Sequence, residues 1–247
     1  MKKLSTTVIT GGSSGIGETI TEFFLERGHN ISIIDKKPPL SLKILQSVEE
    51  GRCQVVRADV RDESSLVNAF SSISKSFQIE NAVNNAGTLG PMKNSWEYSL
   101  KEFEAVINLN VTALWLCCRE EINHMMQAGV GRIINISSAS AKVGITQYAA
   151  YSASKHAVDG LTKSLALELS TKNIQVNSLA PGFVDAGMSF ESVKADPGKL
   201  DYMNKQNPMK RMVSASEVAR TSYWMAFEAP QALCGESLVL DCGYSVR

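Results

Sequence analysis

The stretch "TTVITGGSSGIG", residues 6–17, decides the fold. Its opening, "TTVIT" (6–10), is a short run rich in β-branched residues and reads as a strand. Thr10 to Gly17, "TGGSSGIG", then hands the chain through a glycine-rich turn to a helix beginning near residue 15. Gly11, Gly12, Gly15 and Gly17 let the backbone turn sharply and approach a pyrophosphate, and the helix start offers free N–H groups and a positive dipole end. Ser13, Ser14 and Ile16 share that turn. The spacing is not G-x-G-x-x-G, since the first and last glycines are six apart, and no G-K-[ST] ending makes it a P-loop. A strand, a glycine turn and a helix in that order predict a nucleotide site.

The same rhythm continues outward. Strands are predicted at 6–10, 31–35, 53–59, 81–87, 132–137, 174–181 and 236–241, several apolar throughout as in parallel strands buried on both faces. Helical patterns fall near 15–28, 41–50, 62–76, 97–128, 151–171 and 216–229, the fourth long enough to be broken or kinked. Parallel strands need crossover helices, so the alternation predicts a doubly wound α/β sheet in one domain over 1–247. Two regions break the rhythm. "SSASAKVGITQYAA" (137–150) is a loop of small and polar residues, and 182–212 is interrupted by Pro197, Gly198 and Pro208. An insertion after a strand's carboxyl end is where an open α/β sheet binds ligands, so a substrate lid is expected over about 186–212.

Bulk properties exclude several classes. The chain of 247 residues is 44% hydrophobic and 20% charged, enough for a sizeable core. Lys+Arg and Asp+Glu balance at 25 each, which gives no basic surplus for nucleic acid or an anionic membrane. The five cysteines show no C-x-x-C spacing and the three histidines no metal-ligand spacing, so no metal is expected and the cytoplasm is the default location.

Asp35 ends the second strand, 18 residues after Gly17. An acid there can accept hydrogen bonds from the adenosine ribose hydroxyls of NAD, and it would repel the 2′-phosphate of NADP. NAD is therefore predicted over NADP. Lys36 and Lys37 are the residues that could instead neutralise a phosphate.

Further along, "YSASK" (151–155) places a phenol and an ammonium four residues apart, on one face of a helix. Together with "TGGSSGIG", "NNAG" (84–87), "NLNV" (108–111), "INISS" (134–138) and "APG" (180–182), all in order, it makes the chain resemble the short-chain dehydrogenase/reductases over almost its whole length. In overall texture it is similar to the 3-oxoacyl-[acyl-carrier-protein] reductases and NAD-dependent alcohol dehydrogenases among them. The resemblance implies a Rossmann-type sheet of order 3-2-1-4-5-6-7 and a homotetramer or homodimer. It implies Tyr151 as general acid/base, exchanging a proton with the substrate oxygen as hydride moves to or from nicotinamide. Lowering a phenol pKa from about 10 toward 7 takes roughly 4 kcal/mol of differential stabilisation, for which Lys155 and the oxidised nicotinamide are the sources.

The resemblance also implies Ser138 hydrogen-bonding the reacting oxygen, and Asn110 helping to hold a water that connects Lys155 to solvent. Asn85, Ala86 and Gly87 would pass under the adenosine ribose. Asp59 and the Val60 backbone would meet adenine, and Pro181, Gly182 and Val184 the nicotinamide. The pattern departs from the family after Val184, where Asp185-Ala186 brings no hydroxyl until Ser189, and at Cys242, which replaces a frequent glycine and is read as packing. Tyr148 and Met188 are substrate candidates; Met188 belongs to a methionine- and aromatic-rich lid suited to apolar ligands. The expected activity is hydride transfer between NAD(H) and a secondary alcohol or ketone. The alternatives are an NADPH-dependent 3-oxoacyl thioester reductase and, in another class, a non-catalytic NAD-sensing regulator.

Overall fold

The computed structural model describes residues 3–188, 190, 196 and 198–246. Seven parallel strands form one sheet in the order β3-β2-β1-β4-β5-β6-β7. They are β1 (Leu4–Thr10), β2 (Ile31–Asp35), β3 (Cys53–Arg57), β4 (Phe77–Asn84), β5 (Gly131–Ile136), β6 (Ile174–Pro181) and β7 (Ser237–Leu240). The expected order is the observed one, and most strand ends fall within two residues of their predicted positions. The exception is β4, which starts at Phe77 and stops at Asn84, so Asn85, Ala86 and Gly87 leave the sheet as a loop.

Period-2 alternation builds two cores from the same strands. Val8, Ala82 and Ile133 face one side, where they meet α3 (Glu63–Ser76), α5 (Ala113–Ala128) and α6 (Ala149–Leu169). Their neighbours Ile9, Val83 and Ile134 face the other, against α1 (Gly15–Glu26) and α2 (Leu42–Glu49), together with α8 (Ala215–Tyr223). Helix starts carry their own signals. Asp62 accepts from the Ser65 N–H at 3.1 Å ahead of α3. Ser99 with Glu102, and Ser214 with Glu217, form reciprocal capping boxes ahead of α4 (Leu100–Ile107) and α8. Gly129 closes α5 in the left-handed region at φ 74°.

The long fourth helical pattern is continuous but not uniform. Between α4 and α5, Asn108–Thr112 winds as a π turn, with the Ala113 N–H reaching the Asn108 carbonyl. Such a turn inserts one residue without breaking the helix. The segment after β6 is an excursion whose base is closed by a bridge between Val184 and Val213, and α7 (Gly198–Gln206) lies within it. Among the described residues no helix is long and apolar enough to cross a membrane.

Candidate active site

A cleft of about 840 Å³ opens at the carboxyl ends of the strands. Its walls include Gly11, Ser14, Gly15 and Ile16 from the turn after β1, Asp35 and Lys36 after β2, Asp59 and Val60 after β3, and Asn85 to Gly90 after β4. Gly187 and Met188 reach it from the excursion.

The glycine turn is shaped by contacts that only a missing Cβ allows. Gly11 and Gly15 take φ 66° and 58°, in the left-handed region. A Cβ on Gly17 would stand 2.1 Å from the Gly11 carbonyl oxygen, and one on Gly15 would stand 2.9 Å from the Gly187 Cα. Gly17 therefore serves the turn's own packing, while Gly15 lets the excursion close onto it. Asn85 fastens the turn to β4, its Nδ2 donating to the Gly11 carbonyl at 3.0 Å. Ser14 at the start of α1 makes no side-chain cap, so no side chain there satisfies the first-turn N–H groups. Ser13 adds a buried hydroxyl with no protein partner. A narrow glycine cradle, an uncapped helix start and an orphan hydroxyl together fit a pyrophosphate.

Beyond the ends of β2 and β3, Asp35 accepts from the Ser13 and Lys37 backbone N–H groups, each at 3.1 Å. Asp59 is held by Arg61, whose Nε and Nη2 lie 3.0 and 2.7 Å from its carboxylate oxygens, with Lys36 Nζ at 3.5 Å. The Arg61 guanidinium keeps the Asp59 carboxyl well below the usual range, ahead of an opposing effect of burial.

Tyr151 and Lys155 sit one turn apart on α6, 8% and 5% exposed. Lys155 Nζ donates to the Ile136 carbonyl at 2.7 Å and lies 5.7 Å from the Tyr151 ring centre. Burial pushes the Lys155 ammonium down to about 8, against the opposing pull of Asp159. Burial raises the Tyr151 phenol, and the Ser138 hydroxyl facing it acts the other way. Ser138 lies just past β5, fixed by the Ser140 N–H donating to its Oγ at 3.1 Å. Asn110, in the π turn, spends its whole side chain on protein. Its Oδ1 accepts from the Thr88 N–H at 2.8 Å, and its Nδ2 donates to the Thr88 carbonyl at 2.8 Å and to Ser154 Oγ at 3.0 Å. A water would have to be held by its main chain. Asn110 thus ties the cleft wall at Thr88 to the helix that carries Tyr151.

The matches to known proteins agree with this geometry. The family described as Enoyl-(Acyl carrier protein) reductase matches residues 11–245. The chain is 33% identical over 239 residues to the 3-oxoacyl-[acyl-carrier-protein] reductase FabG of Chlamydia pneumoniae, covering 96% of this chain and 95% of that protein. It is 31% identical to secoisolariciresinol dehydrogenase of Forsythia intermedia, over 97% and 88% of the two chains. The solved structure of ElxO with NADP bound superposes with a TM-score of 0.89 at 28% identity, covering both chains in full. The chain belongs to the short-chain dehydrogenase/reductase family.

Family members are NAD(P)-dependent oxidoreductases, and this short-chain dehydrogenase/reductase distributes its expected site residues in two groups. Gly11, Ser14, Gly15, Ile16, Asp35, Asp59, Val60, Asn85, Ala86, Gly87 and Met188 line the cleft. Ser138, Tyr148, Tyr151, Lys155, Pro181, Gly182 and Val184 do not, and neither do Ser13 and Gly17. Within Asp185-Ala186, the stretch where no hydroxyl was found, the Asp185 side chain is engaged elsewhere: its Oδ1 accepts from the Ala215 N–H, in the first turn of α8, at 2.7 Å. Ser189 lies outside the described residues. Cys242 is buried with φ 55°, the left-handed conformation that suits the glycine it replaces, and burial raises its thiol. Two residues of this family member escaped the sequence reading. Thr88 is the wall residue that Asn110 holds, and Asp159 lies one further turn along α6 from Lys155. The signal for Asp159 was its i+4 spacing from Lys155.

Proposed function

We propose that this chain transfers a hydride between NAD(H) and a secondary alcohol or ketone, with Tyr151 as general acid/base. The observation that carries the reading is the buried Tyr151–Lys155 pair on α6, with the Ser138 hydroxyl at the phenol. Tyr151 gives its proton to a ketone oxygen in reduction and takes one from an alcohol in oxidation, while Ser138 holds that oxygen in place. Lys155 favours the tyrosinate by its charge. Asn110 keeps the cleft wall in register with this helix. A bound nicotinamide would supply or accept the hydride; Pro181, Gly182 and Val184 would orient it, and the glycine turn would hold its pyrophosphate. The lid, 186–212, with Tyr148 on the facing loop, would enclose an apolar substrate. The exposed Leu100, Phe103 and Trp115 on α4 and α5 support a homo-oligomer.

NAD is the proposed cofactor because the Asp35 carboxylate faces the cleft at the adenosine end, while Lys36 and Arg61 are engaged by Asp59. A 2′-phosphate there would meet a carboxylate. The second reading, an NADPH-dependent 3-oxoacyl thioester reductase, is favoured by the similarity to FabG and to the structure of ElxO with NADP bound. One experiment separates them: turnover of a panel of alcohols, ketones and acetoacetyl thioesters with NAD(H) and with NADP(H), using Tyr151→Phe as the blank. NAD-linked turnover of alcohols, lowered about 10³-fold in the variant, is expected. Preference for NADPH and the thioester would install the second reading. Undiminished activity in Tyr151→Phe would remove the proposed acid/base.

A further inference from the structure

Below the Tyr151–Lys155 pair the same helix face carries a third ionisable residue, Asp159, 5% exposed. A carboxylate buried to this degree is costly unless donors surround it. Asp159 gathers them from separate parts of the fold. Its Oδ1 accepts from Ser178 Oγ on β6 at 2.9 Å. Its Oδ2 accepts from Ser237 Oγ, at the start of β7, at 2.8 Å and from Lys142 Nζ at 2.8 Å. The Ser137 hydroxyl after β5 faces it as well. Although burial acts to raise it, these donors, Lys142 foremost, hold the carboxyl below its usual range, so it stays ionised through neutral pH.

Two consequences reach the chemistry. Lys142 follows directly on the short turn Ala139–Ala141 that Ser138 caps, so its ammonium anchors the Ser138 loop to α6. The Asp159 charge also acts on Lys155 and opposes the loss of its proton on burial. Among the described residues, the ionisable groups that meet Lys155 and Asp159 are Tyr151 on α6 and Lys142 on the loop. From β5, β6 and β7 they meet the Ile136 carbonyl and the hydroxyls of Ser137, Ser178 and Ser237.

We propose that Asp159 is a positioning residue of the reaction, which fixes the Ser138 loop through Lys142 and keeps Lys155 cationic beneath Tyr151. The proposal rests on the acid/base reading of Tyr151 given above. In ketone reduction the working form keeps the proton of the Tyr151–Lys155 pair, so the rate falls where that pair deprotonates at high pH.

The test is the pH profile of kcat for reduction, at saturating cofactor, in the wild-type protein, Asp159→Asn, Lys142→Met and Tyr151→Phe. Removing the negative charge in Asp159→Asn moves the alkaline limb to lower pH by about one unit. Removing the positive charge in Lys142→Met moves it the opposite way, with a lower kcat because the Ser138 loop is released. A folded Asp159→Asn protein with a lowered melting temperature and an unmoved limb would make Asp159 a fold-holding residue only and overturn the proposal. If Asp159→Asn does not fold, an unmoved limb in Lys142→Met overturns it in the same way. Reduction that survives Tyr151→Phe sinks the acid/base reading itself and this proposal with it. The two failures are told apart by which variant behaves as wild type.

Discussion

The half of the molecule built on β1–β3 and the half built on β4–β7 hold their parts of the site by different physics. In the first, the buried polar side chains are all hydroxyls: Thr6, Thr7, Thr10, Ser13, Thr21, Ser32 and Ser47. Its charges, Asp35, Lys36, Asp59 and Arg61, stand at the rim of the cleft. In the second, Glu121, Lys155, Asp159 and Asp241 are buried outright, among Asn84, Asn110, Asn135 and several serines. The glycine-turn end is therefore a matter of backbone shape, and the Tyr151–Lys155 end a matter of charge in a low dielectric. The first should fail when a side chain becomes too large, the second when the pH changes.

The sharpest break is steric. Gly17→Ala puts a methyl 2.1 Å from a carbonyl oxygen that has no flexible end to yield. Destabilisation of about 3 kcal/mol or more is expected, equal at pH 5 and pH 8, together with loss of dinucleotide binding. Urea unfolding at both pH values and a cofactor titration measure it, and an unchanged midpoint would refute it.

A buried acid in the other half gives a pH-dependent effect. Glu121 accepts from Asn84 Nδ2 at 3.0 Å through one oxygen, while its other oxygen has no partner. Burial pushes its carboxyl up to about 8. Between the ordinary carboxyl range and that value the folded chain keeps a proton that the unfolded chain has released. The stabilisation is thus fully present below the ordinary pKa and lost as pH rises through about 8. Glu121→Gln removes the slope, so its stability relative to wild type should rise by roughly 3–4 kcal/mol between pH 5 and pH 8. Parallel stability curves for the two proteins would show that Glu121 does not titrate there.

The smallest effect belongs to the rim. Arg61→Ala breaks a half-exposed ion pair with Asp59, and a change below about 1 kcal/mol, shrinking further in salt, is expected. A larger change would mean that the first half also depends on charge. The same unfolding series with added sodium chloride decides it.

The division also explains what the sequence revealed. The glycine turn, the strands and the YSASK pair lie in short continuous stretches, where spacing alone sets which residues share a face or a bend. Asp159 depends on Ser178 and Ser237, 19 and 78 residues away, and no local pattern brings those hydroxyls together. Asn110 was legible as a site candidate, but its partners Thr88 and Ser154 were not, because the π turn that aims it leaves no mark on hydrophobic periodicity. Glu121 reads locally as one of three charges in "CREE" on a helix, and only the packing of β4 and β5 against α5 buries it.

The bridge between Val184 and Val213 has a consequence for how such a chain can diversify. With Asp185 N–H to the Val213 carbonyl at 3.0 Å and Val213 N–H to the Phe183 carbonyl at 2.8 Å, both ends of the excursion are pinned side by side whatever lies between them. Once the ends are clamped, doubling the length of the intervening chain costs only about 0.6 kcal/mol of closure entropy. The segment is a replaceable cassette: its sequence can be rewritten for a new ligand while the strands beneath keep their registry.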